Sequence, residues 1–159
     1  MTLTIRPAKV ADVPAIADLI RGLARYEKLE QAVTMTEELL EKNLFGEKRF
    51  AEALLAEAAG QPIGFALFFH NFSTFLALPG IYLEDLFVVP EHRGRGVGRA
   101  LLKALARIAV ERGSGRLEWS VLDWNRDAIG FYERLGAKPN SEWTVYRLAG
   151  EALTKLGRE

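Results

Sequence analysis

The chain has no cysteine, which removes disulfide frameworks, thiolate zinc sites and cysteine nucleophiles at once. A reducing compartment suits it, and the expected location is cytoplasmic. Neither sign of charge is in surplus. The 21 Lys plus Arg balance 21 Asp plus Glu, so the chain lacks the strongly basic surface that bulk nucleic-acid binding requires. Long apolar runs are missing too. The most apolar region, Phe65 to Leu83, is broken by His70, Asn71, Ser73, Thr74, Pro79 and Gly80, whereas a membrane helix needs about 20 consecutive apolar residues. The opening Thr2 to Pro7 does not follow the basic, apolar, small-residue order of a signal peptide, and no secretion signal is expected. The histidines, His70 and His92, have no Asp or Ser partner at a recognisable spacing, so neither a hydrolase triad nor a metal site is expected.

What is present suffices for one compact domain over residues 1–159, since a chain of this length buries roughly two-thirds of its unfolded surface. Leu3 to Arg6 reads as a strand that Pro7 ends, and a helix follows with Asp12 as its cap and Val13, Ile16, Leu19, Ile20 and Leu23 on one face. A charged connection, Tyr26 to Gln31, leads to a second short helix capped by Thr36. Phe50 to Glu57 and Ile63 to Phe69 form a hairpin across Ala59-Gly60-Gln61-Pro62, and Asn71 to Gly80 reads as a loop whose Phe72 and Phe75 pack on the core or, alternatively, line a pocket or subunit interface. The continuously apolar Ile81 to Val89 is a central strand. A helix from Gly96 to about Arg112 and a strand from Leu117 to Leu122 complete a strand-helix-strand unit. A further helix ends at Gly136, Trp143 to Leu148 closes as a strand, and Glu151 to Leu156 makes a terminal helical turn. The class is α/β.

The junction Val88-Val89-Pro90-Glu91-His92-Arg93-Gly94-Arg95-Gly96-Val97-Gly98-Arg99 organises this pattern. A strand stops at Pro90, three glycines alternate among arginines, and a helix begins. Such a turn offers main-chain N–H groups to an anion, the glycines admit backbone conformations that a Cβ forbids, and Arg93, Arg95 and Arg99 bring positive charge. A nucleoside-triphosphate P-loop is excluded, because it requires Lys-Ser or Lys-Thr where Arg99-Ala100 stand. A dinucleotide fingerprint fails on the alternate spacing of Gly94, Gly96 and Gly98.

Arg93-Gly94-Arg95-Gly96-Val97-Gly98 resembles the acyl-CoA loop of the GCN5-related N-acetyltransferases: Gln or Arg, two residues, Gly, one residue, then Gly or Ala. The stretch Trp124-Asn125-Arg126-Asp127-Ala128-Ile129-Gly130-Phe131-Tyr132-Glu133-Arg134-Leu135-Gly136-Ala137 is similar to that family's second signature, and it follows in the right order. Within the family, Ile5-Arg6-Pro7-Ala8, Ala24-Arg25-Tyr26-Glu27, Phe45-Gly46-Glu47, Tyr82 to Val88 and Val121 to Asn125 look like the diamine and thialysine, spermidine/spermine-type branch. Lys28 and Gln31 depart from the polyamine pattern, which favours a short diamine or a lysine-like amino acid over a long polycation.

The resemblance implies the GNAT fold, a mixed and mostly antiparallel sheet of about six to seven strands flanked by helices in a single domain. It also implies acetyl-CoA as cofactor, a primary amine of a small molecule as acceptor, direct attack and a homodimer. Tyr132 would act on the departing sulfur, and the main-chain N–H groups of Leu86 and Val88, with Phe87 between them, would hold the pantetheine arm and polarise the carbonyl. Asn125 and Ala128 match cofactor-contacting positions, and Tyr26, Glu27, Trp119 and, less firmly, Glu30 match the amine end.

An amine of ordinary pKa about 10.4 has to be presented neutral, which calls for a base. Glu84 is the candidate, acting through water or simply pairing the cationic substrate. Alternation puts Asp85 on the opposite face of the strand unless a bulge intervenes. Two other functions stay open: acetylation of protein lysines or N-termini, because fold alone does not fix substrate, and a non-catalytic acyl-CoA-binding module.

Overall fold

The computed structural model describes residues 2–159, and the chain divides into two compact units, residues 1–120 and 121–159. In the first, the order is β1 (Leu3–Pro7), α1 (Val13–Tyr26), α2 (Glu37–Phe45), β2 (Glu52–Ala58), β3 (Gln61–Ser73), β4 (Leu78–Val88), α3 (Val97–Glu111) and β5 (Leu117–Trp119). The second holds α4 (Arg126–Arg134) and α5 (Gly150–Leu156). No helix among the described residues is long and apolar enough to cross a membrane.

One sheet runs β1-β2-β3-β4-β5, antiparallel through β4, with β5 parallel to β4. The parallel pair is the strand-helix-strand unit expected around the glycine-rich turn. Five strands stand among the described residues where six to seven were expected, because Trp143 to Leu148 forms no strand; β5 forms but stops at Trp119 instead of Leu122. Instead, Trp143, Val145 and Tyr146 are 76%, 81% and 93% exposed.

The apolar stripe of α1 does what its spacing predicts. Ile16, Leu19 and Leu23 pack with Leu44 of α2 and with Ala53, Leu55, Phe65 and Phe87 from one face of the sheet. Leu54, Ala56, Ala66 and Phe68 alternate to the other face, and α3 buries Val97, Leu101, Leu102 and Leu105. Thr36 caps α2 as expected, its Oγ1 accepting from Leu39 N–H. Asp12 stands at the N-cap position of α1 as expected, but its side chain makes no cap bond to the helix. Its carboxylate accepts from Arg6 and from Lys9 N–H, and Arg6 also binds Glu57, tying β1, β2 and the entry to α1.

Ala59 and Gly60, with φ of 51° and 74°, make the two-residue left-handed turn that matches strand twist, so the expected hairpin forms. The predicted loop Asn71 to Gly80 is instead largely strand. β3 and β4 stay paired out to Ser73 and Leu78, and the tip leaves Phe72 and Phe75 60% and 102% exposed, away from the core.

Candidate functional site

The site in residues 1–120 begins with a fault in β4. Leu67 of β3 faces Asp85 while Phe68 faces Leu83, so Glu84 is an extra residue without a partner in that ladder, a β-bulge. Pairing with β5 ends at the same point: Ile81, Tyr82 and Leu83 face Leu117, Glu118 and Trp119, and no register continues beyond. From Asp85 to Val88, β4 is therefore paired on its β3 side alone, and Trp119 stands opposite Leu83 where the two strands part.

The hydrogen-bond phase fixes which groups face the gap. Val89 N–H donates to Ile63 O on the β3 side, so by alternation Phe87 also bonds toward β3 and the N–H groups of Leu86 and Val88 point to the open edge.

Alternation also places the carboxylates. Asp85 lies opposite Leu67, on the same face as Phe87 and α1, while Glu84 is exposed at the bulge. Asp85 is half-buried, and burial is the main reason its carboxyl is pushed up from 3.8 to about 7, with the charges of Glu84 and Glu27 adding to the effect. Glu27, half-buried just past the end of α1, is also shifted upward, by desolvation. The charges of Glu84 and Glu27 thus both act on Asp85 near the start of the open edge. Asp85 is the member that sequence reasoning did not select, since simple alternation sets it apart from Glu84. The bulge that joins them has no sequence mark beyond the Glu-Asp pair itself.

The glycine-rich turn leaves β4 through a short helical turn at Pro90–His92. Gly94 and Gly96 have φ of 72° and 82°, the left-handed region that favours glycine, and a Cβ built on either meets nothing within 4 Å. Glycine is there for conformation and for an open approach, not for packing. Gly96 caps α3, whose first-turn N–H groups at Val97, Gly98 and Arg99 have no partner within the helix. Arg95 and Arg99 are exposed beside them. These residues fit a diphosphate: donors at a 15-residue helix N-terminus, clear space and two cations.

Arg93 makes contacts of its own within the protein. Its Nε donates to Val88 O at 2.8 Å, its guanidinium lies over the Tyr26 and Phe87 rings, and its own N–H bonds Pro90 O. Tyr26, the last residue of α1, is half-buried under it. Glu30 sits in a short exposed helical turn after that helix.

In residues 121–159, Asn125 is buried and caps α4, its Oδ1 accepting from Ala128 N–H at 3.3 Å. Two positions expected to contact cofactor thus use these groups on each other. Tyr132 follows one turn later, with its ring 5.5 Å from that of Phe131. Gly136, with φ 92°, lies just past the helix end, as its sequence position predicts.

The Acetyltransferase (GNAT) family model matches residues 15–137, a span containing both the glycine-rich turn and the Asn125 to Ala137 stretch. The chain belongs to that family. This acetyltransferase is 41% identical to the thialysine N-epsilon-acetyltransferase of Bos taurus over 96% of this chain and 95% of that protein. It is 34% identical to the L-ornithine N5-acetyltransferase NATA1 of Arabidopsis thaliana over 97% and 87%. Among solved structures, an integron cassette protein from the mobile metagenome of V. cholerae aligns with a TM-score of 0.84 at 29% identity, covering 100% of this chain and 99% of that one. The acetyltransferase is accordingly an acetyl-CoA-dependent N-acetyltransferase of α/β fold, acetyl-CoA being the family's general acyl donor.

Proposed function

We infer that the enzyme acetylates a terminal primary amine of a small, flexible molecule, a short diamine or a basic amino acid such as ornithine or thialysine. The observation that carries this reading is the group of Glu27, Glu84 and Asp85 beside the open edge of β4. A partly desolvated carboxyl, Asp85, repelled by the charges of Glu84 and Glu27, is relieved by an incoming cation, and an alkylammonium is the cation this chemistry acts on. The activities of the bovine and Arabidopsis relatives, on thialysine and L-ornithine, support the same substrate class.

Acetyl-CoA supplies an activated acyl thioester when bound. Its diphosphate would lie on Gly94 to Arg99, and the N–H groups of Leu86 and Val88 would bind the arm and the carbonyl oxygen. Asp85 is the better base than Glu84, because a carboxyl brought to about 7 titrates where it can take the ammonium proton and hold it. Glu84, at the exposed bulge, would pair the substrate cation or order a water. The neutral nitrogen would form the bond to the acyl carbon as the carbon–sulfur bond breaks, the Tyr132 hydroxyl would give the departing sulfur a proton or a hydrogen bond, and the proton that the nitrogen sheds on becoming an amide would restore Tyr132 or neutralise the thiolate. Tyr26, Glu27 and Trp119 would line the amine end.

A cytoplasmic homodimer completes the reading. Family resemblance supports the dimer, as does the apolar and exposed Trp143-Val145-Tyr146 series.

Thiol release with acetyl-CoA and a panel of diamines, ornithine, lysine, thialysine and lysine-bearing peptides tests the function. Turnover on the small amines well above that on peptides is expected. Turnover confined to peptides would move the assignment to protein acetylation, and none above hydrolysis would remove it.

A further inference from the structure

Arg93 opens the phosphate-binding turn, yet its side chain runs back along the protein. Its Nε bonds Val88 O at 2.8 Å, and its guanidinium carbon is 4.6 Å from the Tyr26 ring centroid and 5.3 Å from that of Phe87. Each contact belongs to a different part of the site. Val88 is on the free edge of β4, Phe87 is in the core beneath α1, and Tyr26 is the last residue of α1, directly before Glu27. A planar guanidinium combines an in-plane hydrogen bond with face stacking on aromatic rings, which an ammonium does not. Arg95 and Arg99 are exposed on the same turn and supply its charge toward an anion.

We propose that Arg93 is a positioning residue for the acceptor amine, clamping the Tyr26–Glu27 end of α1 to the edge of β4, and not a ligand of the cofactor's phosphates. Through Tyr26 it holds Glu27 at its distance from Asp85 and Glu84, so its effect falls on the amine side of the reaction. The inference rests on the amine-acetylation reading above.

The experiment compares wild type, Arg93→Ala, Arg93→Lys, Tyr26→Leu and the Arg93→Ala/Tyr26→Leu double variant. Amine and acetyl-CoA KM are measured with ornithine or thialysine, and CoA affinity is measured separately by calorimetry without turnover. In Arg93→Ala the amine KM should rise about tenfold or more, the scale on which small misplacements act, while CoA affinity stays within about threefold. Tyr26→Leu should give the same split, and the double variant should lose clearly less than the sum of the single losses, since both remove the Arg93–Tyr26 contact. Arg93→Lys should fail to restore the amine KM.

A loss of CoA affinity with unchanged amine KM would make Arg93 a phosphate ligand and overturn the proposal. A lowered unfolding temperature with both constants unchanged would reduce it to scaffold, and additive losses would break the route through Tyr26. Wild type inactive on every amine overturns the functional reading as well, whereas an active wild type without the split in its variants overturns this inference alone.

Discussion

At the scale of single residues, the informative groups are those whose surroundings oppose their usual state. Asp85 is an acid made reluctant to ionise, chiefly by burial and then by Glu84 and Glu27. A folded-state pKa above the unfolded one means that the folded protein holds this proton more tightly. The stabilisation is complete below about pH 4 and is lost as pH rises through about 7. Asp85→Asn, which never ionises, should therefore come close to wild type near pH 4 and exceed it above pH 8, by at most about 4 kcal/mol. Urea titrations at the two pH values check this, and a variant no more stable at pH 8 would mean that Asp85 is not desolvated. The same substitution should remove the rising limb near pH 7 from the rate profile. Gly96 makes a different case, since its φ of 82° puts a side chain under backbone strain although space is open. Gly96→Val should raise the acetyl-CoA KM about tenfold, from strain of order 1 to 3 kcal/mol, with much less effect on the amine KM; equal effects would count against a cofactor role. Gly96 could be read from its spacing. Asp85 could not, because a pKa depends on burial and register rather than on residue type, and neither could the contacts of Arg93, because charge in a loop does not reveal a side chain's direction.

At the scale of elements, periodicity carried the helices and failed where both faces of a strand are wet. The stripes of α1 and α3 are one-sided and their members are buried. The outer part of the β3–β4 hairpin mixes His70, Asn71, Ser73 and Thr74 with exposed Phe72 and Phe75, so no alternation marks it, yet main-chain pairing carries it to Ser73 and Leu78. The reverse holds for Trp143 to Leu148, where strand-like composition is present and no ladder forms. Packing of α1 on β4 is tight enough to test. A Cβ at Gly22 would come within 2.8 Å of the Phe87 ring, so Gly22→Val should lose about 1 to 3 kcal/mol by overpacking, and Phe87→Leu in the same protein should recover part of it. Denaturant midpoints decide; an unchanged Gly22→Val midpoint would show that α1 has room to shift.

At the scale of the molecule, two signatures far apart in the chain sufficed to recognise family and cofactor, whereas oligomeric state depends on surfaces that sequence patterns describe poorly. If Trp143, Val145 and Tyr146 are covered in a homodimer, light scattering should give twice the chain's 17.7 kDa, and Val145→Asp with Tyr146→Arg should halve it; a wild-type monomer would retire the dimer. The unpaired residue of β4 bears on the entire sheet in another way. Glu84 is an edge dislocation, one extra row end in an otherwise regular lattice, and the opening between β4 and β5 begins where it is inserted. Without Glu84, Leu83 and Asp85 already occupy consecutive rungs opposite Phe68 and Leu67, so the rest of the lattice keeps its phase. A chain lacking that one residue should heal: the seam with β5 closes past Leu83, and the protein becomes sturdier and inert. The cleft in which acyl transfer is proposed to occur is, in these terms, a stacking fault that the fold preserves.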